Sequence, residues 1–222
     1  MIDIKQYLNT GNIRGLLVVI SGPAGSGKST IAEKLIEWSE GAVCRVVTAT
    51  TRAPRPGERD GIDYIFMTPE FFRERLHKND FVEYNIFNNN YYGTPRAALE
   101  RHLANKKIVV LVVDVNGAEA VYRQYPSCLR LFVLPPTPEV LRERLTNRGT
   151  ESAKDIEARL LIAENEITRM ETYDYLVVND KLENAVNDAL SIIRVSRSHH
   201  ICGGELAAWR DGRYLNWHSS QP

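Results

Sequence analysis

Cysteine is scarce: the 222 residues hold three, Cys44, Cys128 and Cys202, far apart and in no pair spacing. That argues against a disulfide frame and reads as reduced thiols. Net charge is absent, because 28 lysines and arginines balance 28 aspartates and glutamates. No bulk charge draws the chain to a nucleic-acid polymer or a membrane surface, so an anionic ligand must be met by local clusters. Long apolar runs are missing too. The longest, Leu16 to Ile20 and Ile108 to Val113, fall far short of the roughly 20 residues that cross a bilayer. Met1 to Asn12 scatters charges among its apolar residues and lacks a small-residue cleavage site. No secretory signal is expected there, and a cytoplasmic location is.

What is present is a composition of 43% apolar and 25% charged residues, that of a globular chain rather than a disordered or collagen-like one. The length suits one or two domains at roughly 100 to 200 residues each. Leu16 to Ile20 is uniformly apolar and partly β-branched, the pattern of a central parallel strand covered on both faces. Ser29 to Glu40 follows with Ile31, Leu35, Ile36 and Trp38 at helical spacing, and Gly41 stops it. Further strand-like runs at Val43 to Thr48, Ile108 to Val113, Leu129 to Leu134 and Tyr175 to Val178 alternate with helical patterns. The alternation predicts an α/β fold with a mainly parallel sheet flanked by helices.

Three Thr-Pro pairs, Thr68-Pro69, Thr94-Pro95 and Thr137-Pro138, mark predicted helix starts, threonine as cap and proline in the first helical position. Ser152 with Asp155 resembles an acidic capping box for a long helix running to about Glu171. Between Ala53 and Gly93 the pattern changes to a proline- and glycine-rich loop, a strand near Tyr64 to Phe66, a helix near Pro69 to His77 and a strand near Phe81 to Phe87. This stretch reads as an inserted subdomain. Near the end, Asp211-Gly212 with Trp209, Tyr214 and Trp217 close by suggests a small hairpin.

The chemistry begins at Gly22-Pro23-Ala24-Gly25-Ser26-Gly27-Lys28-Ser29. It matches G-x-x-x-x-G-K-[ST] in full and lies between a buried strand and a helix, where a phosphate-binding loop belongs. Its glycines let backbone amides and the positive helix end face a phosphate. Lys28 would reach the β- and γ-phosphates of ATP, and Ser29 would hold Mg2+. Asp114 closes the run Ile108 to Val113, at a carboxyl strand end where open α/β sheets place ligands. Arg52 and Arg55 flank Ala53-Pro54 in a proline-stiffened loop. Arg142, Arg144, Arg148 and Arg159 surround a polar connection, Asn147 to Lys154, of a kind that can close over a reacting phosphoryl group.

Taken together, several ordered motifs resemble the guanylate kinase family of P-loop nucleoside monophosphate kinases. They are the phosphate loop, Thr50-Thr51-Arg52 with Pro54-Arg55 and Gly57-Glu58, Gly61-x-Asp63-Tyr64-x-Phe66, Phe81-x-Glu83-Tyr84, Asn90-Tyr91-Tyr92-Gly93-Thr94, Arg148-Gly149-Thr150-Glu151 and Val178-Asn179-Asp180. The likeness spans roughly Gly15 to Ser198. It implies ATP-dependent, Mg2+-assisted phosphorylation of GMP, and of dGMP, to the diphosphate. The implied ATP site is Gly22 to Thr30. Arg52, Arg55, Tyr64 and Tyr92 would bind the GMP phosphate, while Thr48, Glu83, Thr94 and Asp114 would contact guanine. Lys28, Arg52, Arg144, Arg148 and Arg159 would serve phosphoryl transfer. The implied division is an N-terminal extension (1–14), core (15–52, 95–143 and 166–198), GMP-binding subdomain (53–94), lid (144–165) and C-terminal extension (199–222). Monomer and homodimer remain open.

The base assignment also has its own physical logic. Guanine offers N1–H and the N2 amine side by side, and an ionised Glu83 accepts from both, whereas adenine would set a lone pair against the carboxylate. None of the five histidines falls in a matched motif, which fits a reaction whose acceptor phosphate is already ionised. Two departures stand out. Many family members carry an acid where this chain has Val112, and Thr48 replaces a common serine with another hydroxyl. Alternative readings are a P-loop kinase for another phosphorylated acceptor, such as a ribose phosphate, and a protein-binding module of the same fold. Glu83 argues against the first, and the intact Lys28 and Ser29 against the second.

Overall fold

The computed structural model describes residues 15–147 and 153–198. Five parallel strands form the main sheet in the order β2-β7-β1-β8-β9: β1 (Leu16–Ser21), β2 (Val43–Arg45), β7 (Ile108–Val112), β8 (Leu129–Leu134) and β9 (Tyr175–Val178). The central strand β1 is buried along its whole length, as its uninterrupted apolar run requires. Its side chains alternate between two layers. Leu16, Val18 and Ile20 pack toward Ile31 and Leu35 of α1 (Lys28–Trp38) and Val186 and Ile193 of α7 (Leu182–Ser198). Leu17 and Val19 pack toward Leu99 of α3 (Arg96–Ala104) and Val121 of α4 (Val115–Gln124).

A second sheet, ordered β4-β3-β6-β5, is built from β3 (Ala49–Thr50), β4 (Ile65–Phe66), β5 (Phe81–Phe87) and β6 (Asn90–Pro95). Only β3 and β4 run parallel; the other pairs are antiparallel. This sheet and α2 (Pro69–His77) enclose a small core of their own around Ala49, Phe72 and Phe81. The Phe72 and Phe81 rings stack with centroids 4.3 Å apart, and Gly93 lies beneath them. Two further helices, α5 (Pro138–Thr146) and α6 (Ala153–Ile167), pack through Leu141, Leu145 and Ala163.

Several sequence expectations change in detail. The strand expected over Val43 to Thr48 stops at Arg45, because the chain there leaves the edge of the main sheet. Thr48 then offers its carbonyl to Ile65 N–H, and Ala49–Thr50 joins the second sheet ahead of the Ala53 break. Thr68 and Thr137 cap α2 and α5 as read, each accepting from the amide three residues on. Thr94 does not: Pro95 occupies the cap of α3, and the Thr94 hydroxyl bonds Glu83 instead. The helix expected to run to Glu171 ends at Ile167, followed by a 3-10 turn over Met170–Thr172. The cap at Ser152 and the hairpin at Asp211-Gly212 lie outside the described residues.

The aromatic core of the second sheet leaves no room above Gly93. A Cβ there would lie 2.9 Å from Phe72 Cζ and 3.0 Å from Phe81 Cδ1. Gly93→Ala is therefore expected to overpack this core and cost about 1–3 kcal/mol. Denaturant unfolding should show the loss, and a midpoint equal to wild type would contradict the packing described.

Candidate active site

The loop between β1 and α1 turns on three glycines with positive φ, at 135° for Gly22, 87° for Gly25 and 95° for Gly27. Gly27 caps α1 with no side-chain bond, so the first-turn amides are left pointing out of the helix end. Two contacts explain why no side chain fits here. A Cβ on Gly22 would meet Val133 O at 2.2 Å, and one on Gly27 would meet Asn179 Nδ2 at 2.1 Å. That amide nitrogen donates to Ser26 O at 2.8 Å, tying the loop to the end of β9. Arg144 of α5 donates to Asn179 O at 2.9 Å. Lys28 Nζ lies inside the loop's curve, donating to Gly22 O at 2.7 Å and Pro23 O at 2.9 Å. Ser26 Oγ is buried with no hydrogen-bond partner among the described residues. Pro23 is buried, whereas Ala24, Ser29 and Thr30 are exposed.

A cavity of about 630 Å³ opens beside this loop and reaches the second sheet. Lys28 and Ser29 line one part of it; Thr48, Tyr64, Glu83, Tyr92, Thr94 and Asp114 line another. Lys28 and Ser29 thus share one space with these six residues, whereas Arg52, Arg55, Arg144 and Arg159 do not line it. Thr94 Oγ1 donates to Glu83 Oε1 at 2.5 Å. Asp114 caps α4 through Gly117 N–H at 2.7 Å, and its other oxygen accepts from Asn85 Nδ2 at 2.5 Å. Val112, 38% exposed, also lines the cavity, so no carboxylate stands at that position.

The arginines divide. Arg52 pairs with Glu58 at 2.8 Å, and its guanidinium carbon lies 5.3 Å from the Tyr64 ring centroid. Tyr64 and Tyr92 meet edge to face, with centroids 6.2 Å apart. Glu58 holds the Arg52 guanidinium firmly protonated, and that guanidinium in turn keeps the Glu58 carboxyl below its ordinary range. Arg55 is exposed; its backbone N–H donates to Glu58 at 2.7 Å. Arg142 spends its charge on Glu157. Arg159 is half-buried on α6, and Arg148 lies outside the described residues.

Four polar residues escaped the sequence reading of the site. Glu58 and Asn179 stood inside quoted motifs without a role, and Asn85 gave no signal at all. Glu166 is half-buried on α6. Burial pushes its carboxyl up, opposed by the Lys28 ammonium and reinforced by Asp114, which places it in the field of both.

Burial also pushes the Glu83 carboxyl above its ordinary range; the Asp114 carboxylate adds to the rise and the Thr94 donors oppose it. A carboxyl whose folded-state pKa is raised opposes folding once ionised, so this cost is present at neutral pH and is relieved as pH falls through the folded-state value. Glu83→Gln, which cannot ionise, is accordingly expected to melt higher than wild type at pH 7.5, with the gap closing toward pH 4.5. Calorimetry at the two pH values checks it; a gap that stays constant would contradict a raised Glu83.

The described geometry agrees with what the chain resembles among known proteins. Residues 14–196 match the family model described as guanylate kinase. A guanylate kinase of Lactobacillus johnsonii is 43% identical over 180 residues, covering 81% of this chain and 88% of that protein. One from Oceanobacillus iheyensis is 42% identical over 181 residues, covering 82% and 87%. The crystal structure of guanylate kinase from Anaplasma phagocytophilum superposes with a TM-score of 0.73 at 30% identity, covering 91% of this chain and 97% of that one. With the glycine loop, the second sheet and the cavity arranged as above, the chain belongs to the guanylate kinase family.

Proposed function

We propose that this protein transfers the γ-phosphoryl group of ATP to GMP. The observation that carries the reading is the shared cavity: the phosphate loop with Lys28 lines it at one part and Glu83 with Thr94 at another. A donor bound on the loop and an acceptor whose base rests on Glu83 would meet phosphate to phosphate between them. Glu83 accepts guanine N1–H and the N2 amine, while its bond from Thr94 favours the ionised form this needs. Thr48 and Asp114 complete the base contacts. Arg52, Arg55, Tyr64 and Tyr92 take the GMP phosphate, with Glu58 fixing the direction of Arg52. Residues 53–94 are then the acceptor-binding part and 144–165 the covering part.

In the transfer, a GMP phosphate oxygen attacks the γ-phosphorus. The bond to the β,γ-bridging oxygen breaks, and ADP leaves with that electron pair. The acceptor oxygen needs no base, since its second pKa is about 6. Catalysis then rests on placement and on charge stabilisation. Lys28 moves its ammonium from the loop carbonyls to the phosphates, and Arg52, Arg144, Arg148 and Arg159 add positive charge. Among the described residues no three acidic, histidine or cysteine side chains converge on a metal position. A single hydroxyl, Ser29, at the head of α1 and on the cavity wall fits Mg2+, which takes few protein ligands beside phosphates and water. When bound, Mg2+ would neutralise charge on the transferring group.

The same reading takes dGMP as a second acceptor, since no contact above calls on the 2′-hydroxyl. It also takes ATP and GMP as the partners, with no nucleic-acid polymer and no membrane. Among the described residues no helix is long and apolar enough to cross one.

ADP release measured with GMP, dGMP, AMP, CMP, UMP and ribose phosphates tests the assignment. Turnover is expected with the two guanine nucleotides, and equal turnover with AMP would reject it. Lys28→Ala is expected to lower kcat by about 10²-fold or more, in line with the loss of a charge aimed at the transition state. Its melting temperature should stay near wild type. Undiminished turnover in that variant would remove the phosphate loop from the mechanism.

A further inference from the structure

The strand that carries Glu83 is irregular at that residue. Phe81 pairs with Pro95 and Tyr84 with Gly93, so β5 advances three residues where β6 advances two. This is a bulge, a device that re-aims a side chain at the cost of local ladder bonds. Pro95 has no N–H to give, so that pair lacks one of its ladder bonds.

Two residues outside the strand hold this stretch. Four consecutive carbonyls, 79 to 82, are taken in turn. Asn79 O accepts from Arg96 Nε at 3.0 Å, Asp80 O from Arg96 N–H at 2.8 Å, Phe81 O from Arg96 Nη2 at 2.9 Å and Val82 O from Gln124 Nε2 at 2.6 Å. Arg96 Nη2 also donates to Gln124 Oε1 at 2.6 Å. That bond leaves only the amide nitrogen of Gln124 to face Val82, so the guanidinium fixes which way the amide points.

Gln124 lies in the last turn of α4, and Asp114, which binds Asn85, caps the start of the same helix. Glu83 is therefore suspended between two points, Val82 and Asn85, both anchored to one rigid element. We propose that Arg96 and Gln124 are specificity-positioning residues: they pin the bulge so that the Glu83 carboxylate meets both guanine donors. This rests on the reading of Glu83 as the base-contacting group. Without the Gln124 donor, Val82 O loses its partner, the peptide before Glu83 is free to turn, and the carboxylate drops out of register with the base. Phosphate binding and the donor site stay as they were.

The test compares GMP with IMP, which retains N1–H and lacks the N2 amine. In Gln124→Met, of similar length and without a donor, the ratio of kcat/KM for GMP over IMP is expected to fall about tenfold or more, as for a site whose polar match to one exocyclic group is spoiled. The loss should fall mainly on KM for GMP, with KM for ATP within about twofold of wild type. A purely structural role would lower the melting point or affect both substrates alike, leaving that ratio unmoved. Arg96→Lys, which keeps the backbone bond to Asp80 and loses the fork that orients Gln124, carries the same expectation should Gln124→Met fail to fold. Glu83→Gln is run in parallel. If it loses the selectivity while the clasp variants keep it, the clasp inference is overturned and the base reading stands. If it too keeps the selectivity, the base reading fails and the inference falls with it.

Discussion

The shape of the glycine loop depends on one residue. Asn179, at the end of β9, donates to Ser26 O across 153 residues of sequence, occupies the space that any side chain at Gly27 would need, and offers its own carbonyl to Arg144. Three segments far apart in sequence, the phosphate loop, α5 and the β9 end, are thereby locked at a single point. A loop that must present bare amides to an anion gains nothing from its own side chains, so its shape has to be imposed from outside. Gly22 against Val133 O is the second such constraint, from β8. With both in place the loop is shaped before any phosphate arrives, which is what makes backbone amides effective at stabilising charge.

The side proposed for the acceptor uses the opposite strategy, in which a carboxyl is placed where its charge is costly. Glu83 is taken largely out of water beside a second carboxylate, Asp114, with the Thr94 hydroxyl as its partner. On the proposed reading, guanine would bring two donors to this spot and relieve a cost that the protein carries without it. The penalty is tolerable because it is local: the second sheet has its own aromatic core of Phe72 and Phe81, which holds the strands while one residue between them is destabilised.

How much of this could be read from the sequence follows from the reach of each interaction. The phosphate loop was legible because everything that defines it, the glycines, Lys28, Ser29 and the buried strand before them, is contiguous. The Thr-Pro caps of α2 and α5 were legible for the same reason. Thr94 has the same local pattern and was misread, because β6 runs on through Pro95 and its pairing with β5 sets the Thr94 hydroxyl against the Glu83 carboxylate, 2.5 Å away. The strand over Val43 to Thr48 was overextended since β-branched composition does not reveal where a chain changes sheets. Asn179 stood in a quoted motif but its role did not show, and Asn85 and Gln124 carried no local signal: their partners lie 153, 29 and 42 residues away.

Between the glycine loop and the second sheet, α4 has a role that neither explains alone. Its first residue follows Asp114, a cap that also holds Asn85, and its last, Gln124, holds Val82. Its buried face, Ala118 and Val121, packs on the layer that contains β1 residues Leu17 and Val19. The strand that bears Glu83 is thus referenced, through one helix, to the strand that launches the phosphate loop. In-line transfer tolerates little error in the separation of donor and acceptor oxygens, and two sheets joined only by their connecting chain would not hold it. A single rigid helix, packed on one sheet and bonded at both ends to the other, supplies that common reference.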